Sequence, residues 1–378
     1  MADIKQQALD LHAHLHGKIR IQPTVEVKTR EDLSLVYTPG VGAVSQAIAA
    51  DPSRAKDLTW RGNAVAIVSD GTAVLGFGDI GPLASLPVLE GKSVIFKQFA
   101  GIDAVPIALA TKDVDAIVET VVNLAPSFGA IQLEDISSPR CFEIERRLIE
   151  RLDMPVMHDD QHGTAVVILA GLINALKVVG KNLDLIRVVM NGAGAAGIAT
   201  AKLLNVAGVK DIIVCDRQGA IYEGRDGLNE EKMMVASFTN REKKNGSLAE
   251  VSKGADVLIG VSSAGAFTLD IIKSMNASPI VFALANPVPE ILPEQAKAAG
   301  VAVLATGRSD FANQVNNALC YPGLFRGMLD KGVKQVTDQT KLKAARAIAA
   351  SVPAPTAEKI VPSIFDPGLH EAVAASVV

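Results

Sequence analysis

The sequence predicts an α/β protein with two domains, each built on a mostly parallel sheet. Short apolar runs alternate with amphipathic helical segments between residues 64 and 304, the pattern of strand-helix-strand units. Acidic residues directly follow two of these runs, and a glycine-rich turn joins another run to a helix. With 378 residues and 49% hydrophobic content, the chain has room for two cores. We place the first domain at residues 1–162, the second at 163–345, and a helical tail that packs back at 346–378.

The composition argues against several classes of partner. The formal net charge is −4 and the basic residues are dispersed, so we expect no nucleic-acid or membrane partner. The three cysteines are isolated and odd in number, which favours a reducing compartment over a disulfide framework. The first residues lack a signal-peptide core, and no apolar run approaches a bilayer span. We therefore expect a cytoplasmic protein that acts on small molecules.

The first domain is predicted to begin with about 60 helical and irregular residues, broken at 38–42 by a proline and two glycines. An amphipathic helix at 139–152 joins two short apolar runs, so these runs form a right-handed parallel crossover. Both runs therefore end at the same edge of one sheet. The predicted strands of this domain are 64–68, 93–96, 105–109, 129–133 and 155–157.

The second domain is predicted to follow an apolar helix at 163–178 and a polar linker at 180–184. Strands and helices then alternate, as in a doubly wound sheet. The tail from about residue 338 is alanine-rich and then carries four prolines. The predicted strands are 187–190, 212–215, 256–259, 280–283 and 302–304.

Carboxylates follow the two strands that the crossover brings together. Glu134 and Asp135 end one strand, and Asp159 and Asp160 end the other. Because both groups lie at the same sheet edge, they can meet around one cation. Oxygen ligands without a thiol favour Mg²⁺ or Mn²⁺ over Zn²⁺, even with two histidines nearby. The alternative is two surface acidic pairs that bind nothing.

A dinucleotide-binding pattern opens the second domain. Gly192, Gly194 and Gly197 follow a strand and begin a helix, with Ala195 and Ala196 between them. Glycines allow the tight turn and the close approach of a pyrophosphate, while the helix N-terminus supplies amide donors. The alternative is a merely structural turn. The pattern predicts a Rossmann-type domain that binds NAD or NADP.

Asp216 ends the next strand, 19 residues after the last glycine, where it can accept hydrogen bonds from a ribose. It would repel a 2′-phosphate, but Arg217 follows directly and could pair with one. The preference between NAD and NADP therefore stays open.

A second glycine pattern at residues 76–81 lacks this context. Pro82 and Pro87 are expected to interrupt the following helix, and no strand ends in an acid at the right distance. We interpret it as a tight loop beside the substrate site.

A nicotinamide cofactor and a hard divalent ion together indicate oxidation of a hydroxyl group whose neighbouring carboxylate chelates the metal. Lys92, expected just before a buried strand, could act as a base if desolvated. Tyr37 lies at a chain break where a rigid loop could hold its phenol. The alternatives are a solvated lysine and a packed aromatic side chain.

Two asparagine positions could bind a substrate carboxylate or a nicotinamide without adding charge. Asn286 follows a strand of the second domain, where ligands of open sheets bind. Asn317 follows Asn316 after the last strand. For Asn286, a turn-forming residue before proline is an equal alternative.

With these residues in place, the sequence resembles the malic enzymes, specifically the short bacterial type. The resemblance covers roughly residues 18–350, with every block in the family's order. Several blocks in register are more specific than any one alone. The blocks are 33–41, 74–81, 91–92, 132–135, 158–164, 192–197, 282–287 and 316–317.

The resemblance implies roles for the candidate residues. Metal ligation would fall to Glu134, Asp135 and Asp160. The remaining roles are Lys92 as base toward the malate hydroxyl, Tyr37 as the acid that protonates the enolpyruvate carbon, Asp159 as the group that orients Lys92, and Asn286 and Asn317 as substrate contacts. One departure is Ala73, which occupies the position where larger members carry a carboxylate-binding arginine.

The activity that these features predict is oxidative decarboxylation of (S)-malate to pyruvate and CO₂ with NAD⁺ or NADP⁺ and Mg²⁺ or Mn²⁺. We expect a homodimer or higher homo-oligomer. Two alternatives keep the site but change the reaction: oxaloacetate decarboxylation, and conversion of malate to lactate. An alternative of another class is a non-catalytic protein that senses metabolites or redox state, although such a sensor would not need Tyr37 and Lys92 for proton transfer.

Overall fold

The computed structural model describes residues 3–378, which form two parallel sheets covered by helices. The strands are β1 (Ala64–Ser69), β2 (Asp103–Ala108), β3 (Ala130–Leu133), β4 (Val156–His158), β5 (Arg187–Asn191), β6 (Asp211–Asp216), β7 (Gly219–Ala220), β8 (Val257–Gly260), β9 (Ile280–Ala283) and β10 (Val303–Thr306). The helices are α1 (Ile4–Leu15), α2 (Arg30–Val36), α3 (Gly40–Ala50), α4 (Ala55–Leu58), α5 (Pro82–Ala100), α6 (Val114–Leu124), α7 (Arg140–Arg151), α8 (Asp159–Val179), α9 (Ala195–Ala207), α10 (Glu230–Phe238), α11 (Leu248–Val251), α12 (Leu269–Lys273), α13 (Pro293–Ala298), α14 (Tyr321–Lys331), α15 (Asp338–Ala350) and α16 (Leu369–Ser376).

The first sheet has the order β2-β1-β3-β4, and all its pairs are parallel. Strands β3 and β4 are neighbours, with Leu133 opposite His158 at their last residues. The residues that follow these two strands therefore lie side by side, as the predicted crossover requires. β1 and β3 are buried along their whole length, which explains their continuous apolar sequence.

The second sheet has the order β10-β9-β8-β5-β6-β7, and only the short β7 is antiparallel. Strands β6 and β7 lie on one side of β5, and β8, β9 and β10 lie on the other. The strand order therefore reverses between β5 and β8. Crevices at such reversals are where doubly wound sheets bind ligands. The glycine turn at 192–197 follows β5 directly, which places it at this crevice.

One predicted strand is wrong. Residues 93–96 lie inside helix α5, which begins at Pro82 and runs through Pro87 to Ala100. The expectation that Pro82 and Pro87 interrupt this helix is therefore wrong: Pro82 lies in the first turn, where the amide that proline lacks has no helical partner, and Pro87 lies inside the helix. Leu89, Ser93 and Phe96 are all buried and repeat at helical spacing, so the apolar run is one face of a helix. Lys92 therefore lies on a helix and not before a strand.

The N-terminal helices make little contact with the core. α1, α2, α3 and α4 contain no buried residue. Two helical stretches are apolar and long enough on composition to cross a membrane, residues 30–50 and α8. The first is interrupted at Tyr37, which separates the short helices α2 and α3. The second is two-thirds buried within the protein and serves as a core helix.

The C-terminal helices α15 and α16 pack against other helices of the protein. Helix α15 packs against α8, and α16 packs against α14. Gly323 and Gly327 on α14 allow this approach, because a Cβ at either position would lie within 2.5 Å of a backbone oxygen of α16.

Candidate active site

Three carboxylates gather where β3 and β4 end. Glu134 and Asp135 follow β3, and Asp160 lies in the first turn of α8. Each offers an oxygen, and the three oxygens lie within 4.8 Å of one another, the only such group of potential metal ligands in residues 3–378. Asp135 has φ +54°, in the left-handed region that non-glycine residues seldom adopt. Strain of this kind is typical of ligand sites.

Neighbouring donors orient the cluster. The Gln132 side chain donates to Glu134 Oε2 at 2.9 Å, and the Asp135 backbone N–H donates to Asp160 Oδ2 at 2.8 Å. The buried His158 ring places Nε2 3.1 Å from the same Asp160 oxygen. These contacts leave other carboxylate oxygens free: Asp135 Oδ2 is buried and has no partner. An orphaned carboxylate oxygen in a group of three acids fits a divalent cation.

The electrostatics of the three carboxylates also favour a bound divalent cation. Burial and the neighbouring Asp160 raise the pKa of Asp135 to about 7, and burial with three nearby carboxylates raises that of Glu134. Burial also acts to raise the pKa of Asp160, but its hydrogen bond and charge interaction with His158 lower the pKa overall. Like charges held together in a dry site favour protonation unless a cation neutralises them.

Lys92 projects from α5 toward this cluster. Its ammonium forms an ion pair with Asp159 and lies 2.9 Å from Glu134 Oε1. The Tyr321 ring faces the same ammonium, with its centroid 4.6 Å from Nζ. Burial alone would lower the pKa of Lys92, but Asp159 and Glu134 outweigh it and raise the pKa. Lys92 is thus a desolvated lysine held between acids.

One cavity of about 490 Å³ joins the residues of both sheets. Lys92, the three carboxylates, Asn286 and Asn317 all line it. Ala196, at the start of α9, also lines it. The cavity is large enough for a small organic acid beside the end of a dinucleotide. Of the charged side chains that line it in the described part of the chain, Lys92 is the only cation.

Tyr37 is not part of this cavity. It lies between α2 and α3, and two-thirds of its surface is exposed. Tyr321 occupies the cavity wall instead, fully buried and with no hydrogen-bond partner for its hydroxyl. Sequence reasoning missed Tyr321, because a single aromatic residue in an apolar segment looks like an ordinary core residue.

Two of the glycines at 192–197, Gly192 and Gly197, are required by the backbone conformation or by close packing. Gly192 has φ +125°, and a Cβ at Gly197 would lie 1.9 Å from the Gly192 oxygen. Gly194 caps the N-terminus of α9, and Ala195 and Ala196 form its first turn. A second cavity, of about 610 Å³, extends from these glycines to Asp216. This is the geometry of a dinucleotide cradle.

The Asp216 carboxylate accepts hydrogen bonds from four donors. Oδ1 accepts from the Gln218 backbone at 3.0 Å and from Arg225 at 2.9 Å, while Oδ2 accepts from Arg225 at 2.5 Å and from Lys232 at 2.7 Å. Burial acts to raise the pKa of Asp216, but these donors outweigh it and lower the pKa. A carboxylate has about four lone-pair positions, so none is left for a ribose hydroxyl without rearrangement.

The loop at 74–81 lies beside the main cavity. A Cβ at Gly76 would lie 2.0 Å from the Asn286 oxygen, so the loop and the Asn286 turn touch through their backbones. Gly81 then caps α5, the helix that carries Lys92. Gly76 thus serves close packing, while Gly78 and Gly81 have φ values of +74° and +85°, in the region that favours glycine.

The fold and the two cavities define a two-domain α/β protein with a dinucleotide-binding domain and an acidic cluster facing it. The chain belongs to the malic enzyme family. Two family models match: malic enzyme, N-terminal domain, over residues 16–149, and malic enzyme, NAD binding domain, over residues 161–377.

Individual relatives match along nearly the whole chain. The bifunctional malic/malolactic enzyme of Bacillus subtilis is 54% identical over 377 residues, which is 99% of this chain and 92% of the relative. The NAD-dependent malic enzyme of Geobacillus stearothermophilus is 55% identical over 97% of this chain and 77% of the relative. The crystal structure of NAD-dependent malic enzyme from Thermotoga maritima superimposes with a TM-score of 0.95 at 48% identity, covering 98% of each chain.

Proposed function

We propose that this protein catalyses the oxidative decarboxylation of malate to pyruvate and CO₂ with a nicotinamide dinucleotide and Mg²⁺ or Mn²⁺. The observation that carries the proposal is the single cavity in which a desolvated lysine, three carboxylates and the start of the dinucleotide helix face one another. The match to the malic enzyme family models and the groups that line the cavity both support oxidative decarboxylation of malate.

The divalent cation would be held by Glu134, Asp135 and Asp160. It would act as a Lewis acid on the oxygen of the malate C2 carbon, and the dinucleotide would accept the hydride. Three acidic oxygens without a thiol suit a hard cation. Gln132 and His158 fix the orientation of two of these acids, as residues behind metal ligands commonly do.

Lys92 is the proposed base for the malate hydroxyl. With Glu134 engaged by a cation, Asp159 would remain the close partner of the Lys92 ammonium and would keep it directed at the cavity. Burial leaves few waters to compete for the proton. Asp159 thus acts through Lys92, as a positioning residue.

The substrate carboxylate away from the cation has no arginine to bind it in this cavity. Ala73 lines the wall, and its backbone N–H is already used by the Asp135 oxygen at 2.9 Å. We assign the carboxylate to the side-chain amides of Asn286 and Asn317, with Lys92 as the nearby positive charge.

Tyr37 is the proposed acid that protonates the enolate carbon, and we propose that a second copy of the chain delivers it. Its exposed phenol lies outside the cavity of its own subunit. The helices on either side, α2 and α3, have no buried residue, yet they carry exposed Leu35, Val36 and Val41. Exposed apolar surface of this kind marks interaction sites, and we propose that a homodimer covers it and brings each Tyr37 to its partner's cavity.

The acceptor positions of the Asp216 carboxylate are all occupied by donors from the protein, so none is left for a ribose hydroxyl of NAD⁺. We therefore propose a preference for NADP⁺ over NAD⁺. Arg217 and Lys232 line the same cavity as Asp216, and Lys232 has donors left for a phosphate. The relatives include enzymes named NAD-dependent and others named NADP-dependent, so both cofactors occur in the family. The unpaired, buried cysteines are consistent with a cytoplasmic location.

The test follows the absorbance of reduced nicotinamide with malate, Mn²⁺ and either cofactor, while pyruvate is measured separately. Equal amounts of pyruvate and reduced cofactor are expected. Lactate formation without net cofactor reduction would instead support the malolactic reaction, a candidate because the Bacillus subtilis relative is named for both activities. Dinucleotide binding without turnover of malate or oxaloacetate would favour a non-catalytic sensor and would end the proposal.

A further inference from the structure

A separate cavity of about 490 Å³ lies on the far side of α8 from the acidic cluster. Its floor is a stripe of Leu169, Ile173 and Leu176, which repeat at helical spacing along the second half of α8. Leu342 on α15 and Leu183, just after α8, close the sides. Pockets of this volume with apolar floors are typical of small-molecule sites.

Small residues at the ends of two helices leave the space that forms this cavity. Gly180 ends α8 in the left-handed conformation, with φ +68°, and the chain turns there so that residues 181–183 wrap around the opening. Ala207, the last residue of α9, supplies only a methyl group on the facing side. Protein interiors are otherwise closely packed, so an opening of this size between core helices is available for a ligand.

Among residues 3–378, three cations surround the opening and no carboxylate lines it. Two of them already have partners: Lys177 donates to Asn174 Oδ1 at 3.0 Å, and Lys181 donates to Asp256 Oδ1 at 2.8 Å and to the Ala277 oxygen at 2.7 Å. The third, Arg346, is exposed, and its side chain makes no hydrogen bond or ion pair with any residue in 3–378. Arg346 is one helical turn from Leu342, so its guanidinium lies above the apolar floor.

We propose that this cavity binds an aliphatic carboxylate of medium chain length. The hydrocarbon chain lies on the leucine and isoleucine stripe, and the carboxylate pairs with Arg346. The planar guanidinium fork matches a carboxylate in two parallel hydrogen bonds. The two paired lysines add positive potential without competing for the same contact. The ligand differs from a malate-like substrate in its long apolar part, which the acidic cavity does not accommodate.

The experiment titrates the full-length protein with sodium octanoate by calorimetry, without metal or cofactor. The wild type is expected to bind octanoate at one site per chain and to bind 1-octanol at least about tenfold more weakly, since one charge-assisted interaction contributes about 1.5–3 kcal/mol. Arg346→Gln should weaken octanoate binding by about tenfold or more. Lys343→Gln, which removes an exposed charge from the same helix, should leave it unchanged.

Ile173→Trp provides a second variant that fills the cavity from its floor and should abolish octanoate binding while the protein still unfolds cooperatively. The absence of octanoate binding to the wild type would overturn the proposal. So would equal affinity of the wild type and Arg346→Gln, or equal affinity for octanoate and 1-octanol. None of these measurements depends on malate turnover, so they are independent of the proposed catalytic function.

Discussion

The ammonium of Lys92 and the carboxylate of Asp159 form an ion pair that is almost completely shielded from water, although 67 residues separate them in the sequence. Helix α5 supplies the lysine, and the first residue of α8 supplies the acid. Because the same ammonium also contacts Glu134, proton transfer and cation binding are joined in one cluster.

Replacing Lys92 should remove the base while leaving the fold intact. We expect Lys92→Met to lower kcat for malate oxidation by about 10²–10⁴-fold through lost acid-base catalysis. Asp159→Asn should lower kcat less than Lys92→Met, because it misdirects the lysine without removing it. Steady-state kinetics with saturating Mn²⁺ measure both effects, and Lys97→Met on the same helix, far along its exposed end, serves as the control. Full activity of Lys92→Met would exclude its assigned role.

Gly163 leaves space for the Asp159 carboxylate. A Cβ there would lie 1.9 Å from Asp159 Oδ1, so Gly163→Ala must rotate that carboxylate away from Lys92. We expect kcat to fall by about 10–100-fold, since displacement of a catalytic group by about 1 Å has effects of this size. Gly171→Ala on the same helix is a matched control: its Cβ would meet the Phe282 ring at 3.0 Å, away from the cavity. A loss of activity no greater in Gly163→Ala than in the control would contradict this account.

The acidic cluster should make the stability of the metal-free protein depend on pH. The pKa of Asp135 is about 7 in the folded protein, above the usual 3.8, so the folded state binds more protons than the unfolded state between these values. Stability should therefore fall as pH rises from about 4 to 7, and for a chain of this length each kcal/mol lost corresponds to roughly 1–2 °C in Tm.

Calorimetric melts at several pH values, with EDTA or with Mn²⁺, measure this dependence. Mn²⁺ should raise Tm most at the alkaline end, because it takes the place of the protons. Asp135→Asn should flatten the profile without metal. A profile that is identical in the wild type and in Asp135→Asn would show that this cluster does not set the pH dependence.

Subunit mixing tests the proposed origin of Tyr37. Tyr37→Phe and Lys92→Ala should each be nearly inactive alone, because each site lacks one proton-transfer group. If Tyr37 serves the partner's cavity, co-expression of the two variants should restore activity, since one site of the mixed dimer then contains both native residues. If Tyr37 serves its own cavity, no mixed site is complete and activity stays at the level of the single variants. Size-exclusion chromatography with light scattering provides the control for dimer formation.

Several features of this protein could be predicted from the sequence alone. The strand and helix alternation, the parallel sheets and the glycine turn follow from local patterns of apolar residues and from the conformational freedom of glycine, which act over a few residues. The meeting of Glu134 and Asp135 with Asp160 was also predictable, because right-handed crossovers align the ends of neighbouring parallel strands. The family resemblance rests on the same local blocks.

The tertiary structure decided what local patterns could not. Residues 93–96 are an apolar run too short to distinguish strand from helix, and only their burial against the rest of the fold made them a helix. Tyr321 joins the cavity and Tyr37 lies outside it because the packing of distant segments, not residue type, determines which side chains share a site. The donors to Asp216 lie within 16 residues of it along the chain, at Gln218, Arg225 and Lys232, but they converge on its carboxylate only once the segment between β6 and α10 has folded.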